Sequence, residues 1–174
     1  MTVKVELIKE LRNMTSASVA HCKKALEEAG GDLQKAVQLL RKQGLEIAAK
    51  KQDRIAKEGR IETYVHMGNK IGVLLEVNCE SDFVARNEEF SRFTKDLAMQ
   101  IAASCPLYIK REDVPAEVLE HEISKEEFYK NHCLLEQPFI KDPAITIKDY
   151  LGSIIAKLGE NIVIRRFIRY KLGE

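Results

Sequence analysis

The sequence lacks the features that mark several common classes of protein. No stretch approaches the roughly 18 apolar residues that cross a bilayer, so we expect no membrane partner. Net charge is almost absent, with 28 lysines and arginines against 27 aspartates and glutamates. This balance excludes a global positive field that would concentrate nucleic acid. The glycines form neither GxxxxGKS/T nor GxGxxG, and direct nucleotide binding is therefore not expected.

Cysteine is scarce and widely spaced. Cys22, Cys79, Cys105 and Cys133 form no CxxC pair, which is typical of free thiols in a reducing cytosol. Because the N-terminus also lacks the apolar region of a signal peptide, we expect a cytoplasmic protein. Two of the cysteines follow a histidine directly, but adjacent residues point to different sides of a helix or strand. The spacings match no metal-ligand set, so we expect no catalytic residue, metal or cofactor.

The first 44 residues have the periodicity of three short helices. Apolar residues recur at helical spacing in three groups, which are Leu7, Ile8 and Leu11; Val19, Cys22 and Leu26; and Leu33, Ala36, Val37 and Leu40. Ser16 or Ser18 is placed to cap the second helix and Asp32 the third, which Gly44 is predicted to end. The pattern predicts a three-helix domain over residues 1–44, similar to the ubiquitin-associated class, that docks on a partner.

Residues 45–60 differ in composition and predict a connector. The stretch LEIAAKKQDRIAKEGR holds five basic residues from Lys50 onward, with alanine and isoleucine between them. Such a stretch is typical of a solvated, partly helical linker between two domains. A basic patch for RNA is the alternative interpretation.

Residues 61–174 predict a core domain that begins with a β-hairpin. Polar and apolar residues alternate on both sides of Gly68 and Asn69, which are suited to a positive-φ turn. The second half of the hairpin places four apolar residues on one face, namely Ile71, Val73, Leu75 and Val77. The hairpin therefore predicts an antiparallel sheet with one apolar face.

The remainder of this domain predicts two helices and another strand. One helix is predicted over Phe83–Ser104, with a buried stripe of Phe90, Phe93, Leu97 and Ile101. A second helix has a T-x-x-D start signal at Thr146 and Asp149 and a stop at Gly159. A strand is predicted in NIVIRRFIRYKL, residues 161–172. Together these elements predict an α+β fold, with an antiparallel sheet packed on helices.

The segment NCESDFVAR, residues 78–86, lies where the hairpin changes to the first of these helices. Phe83 precedes Phe90 by almost two helical turns, so periodicity favours Phe83 as a core residue, with Ser81 or Asp82 as the N-cap. An aromatic side chain in the first turn after a tight bend is also well placed to project towards another molecule. The residues alone leave both interpretations open.

Several segments resemble, in the same order, the elongation factor Ts family. They are IKELRNMTSASVAHCKKALEEAGGDLQKAVQLLRKQG, HMGNKIGVLLEVNCESDFVARNEEF, LLEQPFIKD and GENIVIRRFIRYKLGE. Because they cover nearly the whole chain, the sequence is identified as a short member of this family, with one copy of the core subdomain. The resemblance implies a guanine-nucleotide exchange factor for elongation factor Tu in translation elongation, and not an enzyme.

The resemblance also implies which residues bind the partner. In this family a Thr-Asp-Phe-Val signature intrudes into the GTPase domain and disturbs its Mg²⁺ and phosphate sites. The matching residues here are Ser81, Asp82, Phe83 and Val84. The helical domain would dock on another helix of the GTPase, with Arg12 among its contacts. The family's TGAGMMDCKKAL reads TSASVAHCKKAL here, so Val19 and Ala20 replace two contact methionines, and weaker docking is expected.

The resemblance leaves the assembly and two competing functions open. Short family members tend to pair, which implies a homodimer within a 2:2 complex, whereas the shortened segment between EDVPAEVLE and LLEQPF counts against it. One competing function is an enzyme that uses Cys79 or Cys133. The other is an RNA- or ribosome-binding module that uses Lys50, Lys51, Arg54, Arg165, Arg166 and Arg169.

Overall fold

The computed structural model describes residues 3–15, 17–120 and 122–174 and has the predicted α+β fold. In chain order its elements are α1 (Val5–Thr15), α2 (Val19–Glu28), α3 (Leu33–Lys51), β1 (Glu58–Val65), β2 (Ile71–Cys79), α4 (Asp82–Ala85), α5 (Glu88–Ser104), α6 (Ala116–Glu120), α7 (Lys125–His132), β3 (Pro138–Phe139), β4 (Asp142–Thr146), α8 (Ile147–Leu158) and β5 (Ile162–Lys171). An N-terminal helical bundle is followed by an antiparallel sheet with helices packed on one face.

The N-terminal bundle has the three predicted helices and a small core of its own. That core consists of Leu11, Cys22, Ala25, Leu26, Ala36 and Val37. The Ser18 hydroxyl caps α2 by accepting a hydrogen bond from the N–H of His21, and the Asp32 carboxylate caps α3 through the N–H of Lys35. Ser16, the other predicted cap of α2, lies outside the described residues.

The predicted end of α3 at Gly44 is wrong. The helix continues to Lys51, and Gly44 is buried where α3 packs on α8. A Cβ atom on Gly44 would lie 3.3 Å from the backbone of Gly152, so the missing side chain lets the two helices approach closely. The first half of the predicted connector is therefore packed helix, and only residues 52–57 are irregular. The division of the chain into three domains stays a prediction.

The main sheet has the order β1-β2-β5, and both strand pairs are antiparallel. Gly68 and Asn69 take φ values of 86° and 57°, which confirms the predicted positive-φ turn between β1 and β2. Three of the four apolar residues predicted on one face of β2 are buried in the main core, and the fourth, Ile71, is partly buried against it. The predicted C-terminal strand is confirmed as β5.

Strand β1 alternates as predicted, but its apolar residues face solvent. Ile61 and Val65 are exposed, whereas Glu62 lies on the core side. The Glu62 carboxylate accepts a hydrogen bond from the Thr94 hydroxyl at 2.9 Å and lies 3.1 Å from the guanidinium of Arg60. A buried charge with these two partners is compensated, which explains how a glutamate is accommodated on the core side.

Helices α5 and α8 cover the core side of the sheet. The predicted stripe of α5 is fully buried. Helix α8 begins with the predicted capping box, in which Thr146 and Asp149 each accept a hydrogen bond from the other's backbone N–H. It ends at Gly159, whose φ of 76° is the left-handed stop that the sequence predicts.

The segment between α5 and α8 folds into small elements around a minor core. The acidic stretch from Glu112 to Glu127 is mostly exposed where described, as predicted. Beneath it, Val114, Phe128 and Cys133 are buried together. No sequence pattern predicts the hairpin β3–β4, because strands of two and five residues are too short for alternation to be recognised.

Candidate partner-binding site

The bend between β2 and α5 carries the NCESDFVAR motif. Residues 82–85 form the single turn α4, and Asn87 starts α5 by accepting the N–H of Glu89 at 2.8 Å. The prediction of one continuous helix over Phe83–Ser104 is therefore wrong. The chain leaves helical geometry at Asn87, where ψ is 139°, because its side chain caps a new helix.

Phe83 projects away from the protein. Its side chain is 82% exposed, whereas Phe90, seven positions later, is 0% exposed. The break at Asn87 changes the helical phase, so two phenylalanines with the spacing of one helix face lie in opposite environments. The interpretation of Phe83 as a core residue is wrong, and its outward projection is confirmed.

The other residues of the motif hold the turn in place. The Ser81 hydroxyl accepts a hydrogen bond from the N–H of Val84 at 3.4 Å, so Ser81 is the N-cap of α4. The Asp82 carboxylate lies 3.0 Å from the guanidinium of Arg86, one turn later. The side chain of Val84 packs against the main core. The exposed ring of Phe83 therefore stands on a turn whose other side chains are engaged.

Hydrogen bonds of Glu80, Glu160 and Asn161, to which the sequence analysis assigns no role, connect the bend to the loop between α8 and β5. The Glu160 carboxylate, in the loop between α8 and β5, accepts hydrogen bonds from the backbone N–H groups of Glu80 and Ser81. The Glu80 carboxylate in turn accepts from the N–H of Asn161 at 2.6 Å. No periodicity connects positions 80 residues apart in the sequence. Only the pairing of β2 with β5 brings them together.

The two cysteines considered as nucleophiles are poorly suited to that role. Cys79 and Cys133 are both fully buried. Burial, together with the nearby carboxylate of Glu160 for Cys79 and of Glu136 for Cys133, raises the pKa of each thiol to about 11. A thiol with such a pKa is almost entirely protonated at neutral pH, whereas the thiolate is the nucleophile.

Comparisons with known proteins assign the chain to a family. The family model described as "Elongation factor TS" matches residues 2–127 and 123–174. The elongation factor Ts of Carboxydothermus hydrogenoformans is 53% identical over 97% of this chain and 88% of that protein. The elongation factor Ts of Thermodesulfovibrio yellowstonii is 50% identical over 100% of this chain and 98% of its own length. This chain belongs to the elongation factor Ts family. Its role is in the elongation step of protein biosynthesis.

Its relatives in the elongation factor Ts family carry residues that this chain lacks. The match to the Carboxydothermus protein extends over 192 aligned positions, more than the 174 residues of this chain. The two matched pieces of the family model overlap at residues 123–127. This junction lies inside the segment that the sequence analysis predicts to be shortened.

The elongation factor Ts resemblance also points to three residues of the helical bundle. Arg12 on α1, together with Val19 and Ala20 at the start of α2, is exposed. Arg12, Val19 and Ala20 therefore lie on the N-terminal bundle, whereas Ser81, Asp82 and Val84 lie beside Phe83 at the bend after β2. The predicted contacts therefore form two separate regions.

The basic residues considered for RNA binding are partly engaged within the protein. Arg54 lies 3.6 Å from the carboxylate of Glu80, and Arg166 lies 2.7 Å from that of Glu76. The Lys51 ammonium donates to a backbone carbonyl in the loop after α8 at 2.8 Å. These contacts neutralise part of the charge that an RNA-binding surface would need.

Within the described ranges, no helix is long and apolar enough to cross a membrane. The same residues contain no group of three or more histidine, cysteine, aspartate or glutamate side chains arranged to hold a metal ion.

Proposed function

We propose that this chain promotes the release of GDP from elongation factor Tu by inserting Asp82 and Phe83 into its GTPase domain. The observation that carries the proposal is the exposed Phe83 ring on a turn that is otherwise anchored. An exposed aromatic ring gains no burial within its own fold, and aromatic residues are frequent energetic centres of interfaces. Membership of the elongation factor Ts family supports this partner, and the proposed place of action is the cytoplasm, where elongation takes place.

Insertion weakens nucleotide binding because the factor and the nucleotide favour different arrangements of the GTPase. A ring pushed between its helices moves the elements that hold Mg²⁺ and the phosphate-binding loop. The factor then lowers the affinity for GDP as much as GDP lowers the affinity for the factor. The supply of GTP sets the direction of exchange. This chain contributes no covalent step.

A second contact comes from the N-terminal bundle. Arg12, Val19 and Ala20 are proposed to dock on another helix of the GTPase domain. Val19 and Ala20 offer less apolar area than the methionines usual in the family, so this contact contributes less binding free energy. The bundle then serves to hold the GTPase while Phe83 acts on it.

We also propose a homodimer within a 2:2 complex, formed through the outward face of the sheet. Leu74 on β2 pairs in register with Ile168 on β5, and both are exposed. The nearby charges, Glu76 and Arg166, neutralise each other at 2.7 Å, so a second copy of the face meets no net charge there. Two such faces can stack as a sandwich about a twofold axis. Sedimentation analysis is expected to give a dimer for the unchanged chain and a monomer for Leu74→Glu; a monomeric unchanged chain contradicts this assembly.

The exchange proposal is tested with elongation factor Tu loaded with fluorescent GDP. The unchanged chain is expected to accelerate release. Phe83→Ala is expected to reduce this acceleration by more than tenfold, since a central aromatic contributes about 2 kcal/mol or more. Leu107→Ala is the matched control, because it removes another exposed apolar side chain, and it is expected to change nothing.

The same assay separates the competing functions. Equal release with Phe83→Ala and with the unchanged chain removes Phe83 from the mechanism. An RNA- or ribosome-binding module would leave GDP bound and lose affinity for RNA steeply with added salt. An enzyme using Cys79 would lose its turnover in Cys79→Ser, whereas exchange is expected to persist in that variant.

A further inference from the structure

The bend beneath Phe83 is held by one carboxylate from a distant part of the chain. Oε2 of Glu160 accepts hydrogen bonds from the backbone N–H groups of Glu80 at 3.1 Å and of Ser81 at 3.0 Å. Oε1 of Glu160 accepts from the Ser81 hydroxyl at 2.5 Å. One side chain therefore holds the two residues that lead into α4.

A reciprocal contact holds Glu160 itself in place. The Glu80 carboxylate accepts from the N–H of Asn161, and the Asn161 side chain donates to the carbonyls of Gln52 at 3.3 Å and Arg54 at 2.8 Å. Asn161 is buried. The loop after α8, the end of β2 and the start of the irregular linker thus meet at one junction. Movement of Glu160 would disturb all three segments.

The α4 turn needs such an anchor because it cannot hold its own shape. A helix of four residues lacks the length at which helical hydrogen bonds offset the cost of nucleation. Phe83, with most of its surface in solvent, contributes little packing to keep the turn in place. The orientation of the ring must therefore come from the residues on either side, of which Ser81 is held by Glu160.

We propose that Glu160 is a positioning residue for nucleotide exchange, which fixes the direction in which Phe83 leaves the protein surface. This inference rests on the proposed exchange function. A ring that is already oriented loses less conformational freedom on insertion, so more of its contact energy acts on the GTPase. A carboxylate suits this position because both of its oxygens accept hydrogen bonds and its charge strengthens them. A glutamine amide keeps one acceptor oxygen, loses the charge and turns its NH₂ towards the Ser81 hydroxyl, which would have to accept instead of donate.

The first test measures the order of the turn without any partner. The sequence has no tryptophan, so Phe83→Trp places a single indole on α4, which can be excited apart from the five tyrosines. In that background, Glu160→Gln is expected to lower the fluorescence anisotropy of the indole and shorten its rotational correlation time. Glu120→Gln, which changes an exposed glutamate on α6, is the matched control and is expected to leave both values unchanged. Unchanged anisotropy in Glu160→Gln overturns the inference.

The second test measures GDP release from elongation factor Tu over a range of factor concentrations. Glu160→Gln is expected to lower the maximal release rate about tenfold, since it weakens charge-assisted hydrogen bonds. If the substitution only lowered the fraction of folded factor, a higher factor concentration would be needed, but the maximal release rate would equal that of the unchanged chain. Because Glu160 acts through Phe83, the double variant with Phe83→Ala is expected to release GDP no more slowly than Phe83→Ala alone.

The outcomes separate this inference from the exchange proposal. Unchanged release with Phe83→Ala contradicts the exchange proposal and, with it, a role of Glu160 in exchange. A normal maximal rate in Glu160→Gln rejects the positioning role alone. So does a double variant that is slower than Phe83→Ala by the same factor by which Glu160→Gln alone is slower than the unchanged chain. If Glu160→Gln fails to fold by circular dichroism, Ser81→Ala is the second variant. It removes the hydroxyl contact to Glu160 and the cap on the N–H of Val84 but keeps both backbone contacts to Glu160, and it is expected to show a smaller loss in the same two measurements.

Discussion

The two regions proposed to contact the GTPase differ in how the protein supports them. Phe83 stands on a single turn that is tied to the main sheet and to the loop after α8. Val19 and Ala20 stand on a regular helix whose bundle has only a small core. An exposed aromatic on a fixed turn is suited to deform a partner, whereas an exposed helix face is suited to bind one. The comparison predicts that exchange depends on the first region and affinity on the second.

The largest expected effect is the difference in the free energy of unfolding between alanine variants of Phe83 and of Phe90, which lies seven positions later. Phe90→Ala is expected to lower the free energy of unfolding by about 3–5 kcal/mol, because it leaves a cavity in the core. Phe83→Ala is expected to change it by less than about 0.5 kcal/mol, because the ring is exposed. Urea denaturation measures both. A similar loss in the two variants would mean that Phe83 supports the fold and is not free to act on a partner.

The next effect tests whether the two regions are stabilised separately. Leu11→Ala removes a fully buried side chain from the bundle core and is expected to cost about 2–5 kcal/mol there. Amide hydrogen exchange is expected to speed up in α1 to α3 while β2 stays protected. Equal loss of protection in β2 would show that the bundle and the sheet unfold as one unit.

A smaller effect is expected at the contact that joins the regions. Gly44→Val places methyl groups against the backbone of Gly152 and is expected to destabilise the protein by about 1–3 kcal/mol through overpacking. Gly72→Val is the control, since a Cβ atom there meets no atom within 4 Å. Thermal unfolding measures both variants. Equal stability would mean that α3 and α8 can move apart without cost.

The docking region is expected to respond more weakly than Phe83 in binding to elongation factor Tu. Val19→Glu introduces a charge into the proposed contact and is expected to lower affinity several-fold, about 1 kcal/mol, without changing the maximal release rate. Val19→Met restores the side chain usual in the family and is expected to tighten binding. Calorimetric titration measures both. A fall in the maximal rate with Val19→Glu would contradict the division of roles.

The smallest expected effect is on the rate at which Cys79 is alkylated, which reports whether the bend beneath Phe83 stays closed. Cys79 lies directly before the bend, and its thiol donates to the carbonyl of Ser81 at 3.1 Å. Because burial raises the pKa of Cys79 from 9.0 to about 11, its thiolate fraction keeps rising with pH up to about 11. Alkylation is therefore expected to be slower than at the exposed Cys105 and to increase about tenfold per pH unit from 8 to 10. Rapid alkylation of Cys79 at pH 8 would show that the bend opens.

Much of the fold could be predicted because it depends on neighbours along the chain. The caps at Ser18, Asp32 and Thr146 join residues three positions apart. The buried stripe of α5 follows from helical periodicity alone. The motif at residues 81–84 could also be found, through its resemblance to the family signature, although its periodicity favoured the wrong environment for Phe83.

The wrong predictions share a different cause. Glycine is the residue type that commonly ends a helix, yet Gly44 lies inside α3, because at this position the absence of a side chain lets α8 approach closely. Phe83 has the spacing of a core residue, yet the cap at Asn87 starts a new helix after it. For Gly44 the contact with α8 overrode the preference of glycine for helix ends, and for Phe83 the cap at Asn87 overrode the helical spacing.

The sequence by itself determined the family, the strands of the main sheet and the starts of α2, α3 and α8, because these follow from side-chain chemistry repeated over a few residues. The tertiary structure alone decided that Phe83 faces solvent and that Glu160 holds the turn beneath it. The physical reason is that Glu80 and Glu160 meet only after β2 and β5 have paired, and hydrogen bonds across 80 residues leave no period in the chain.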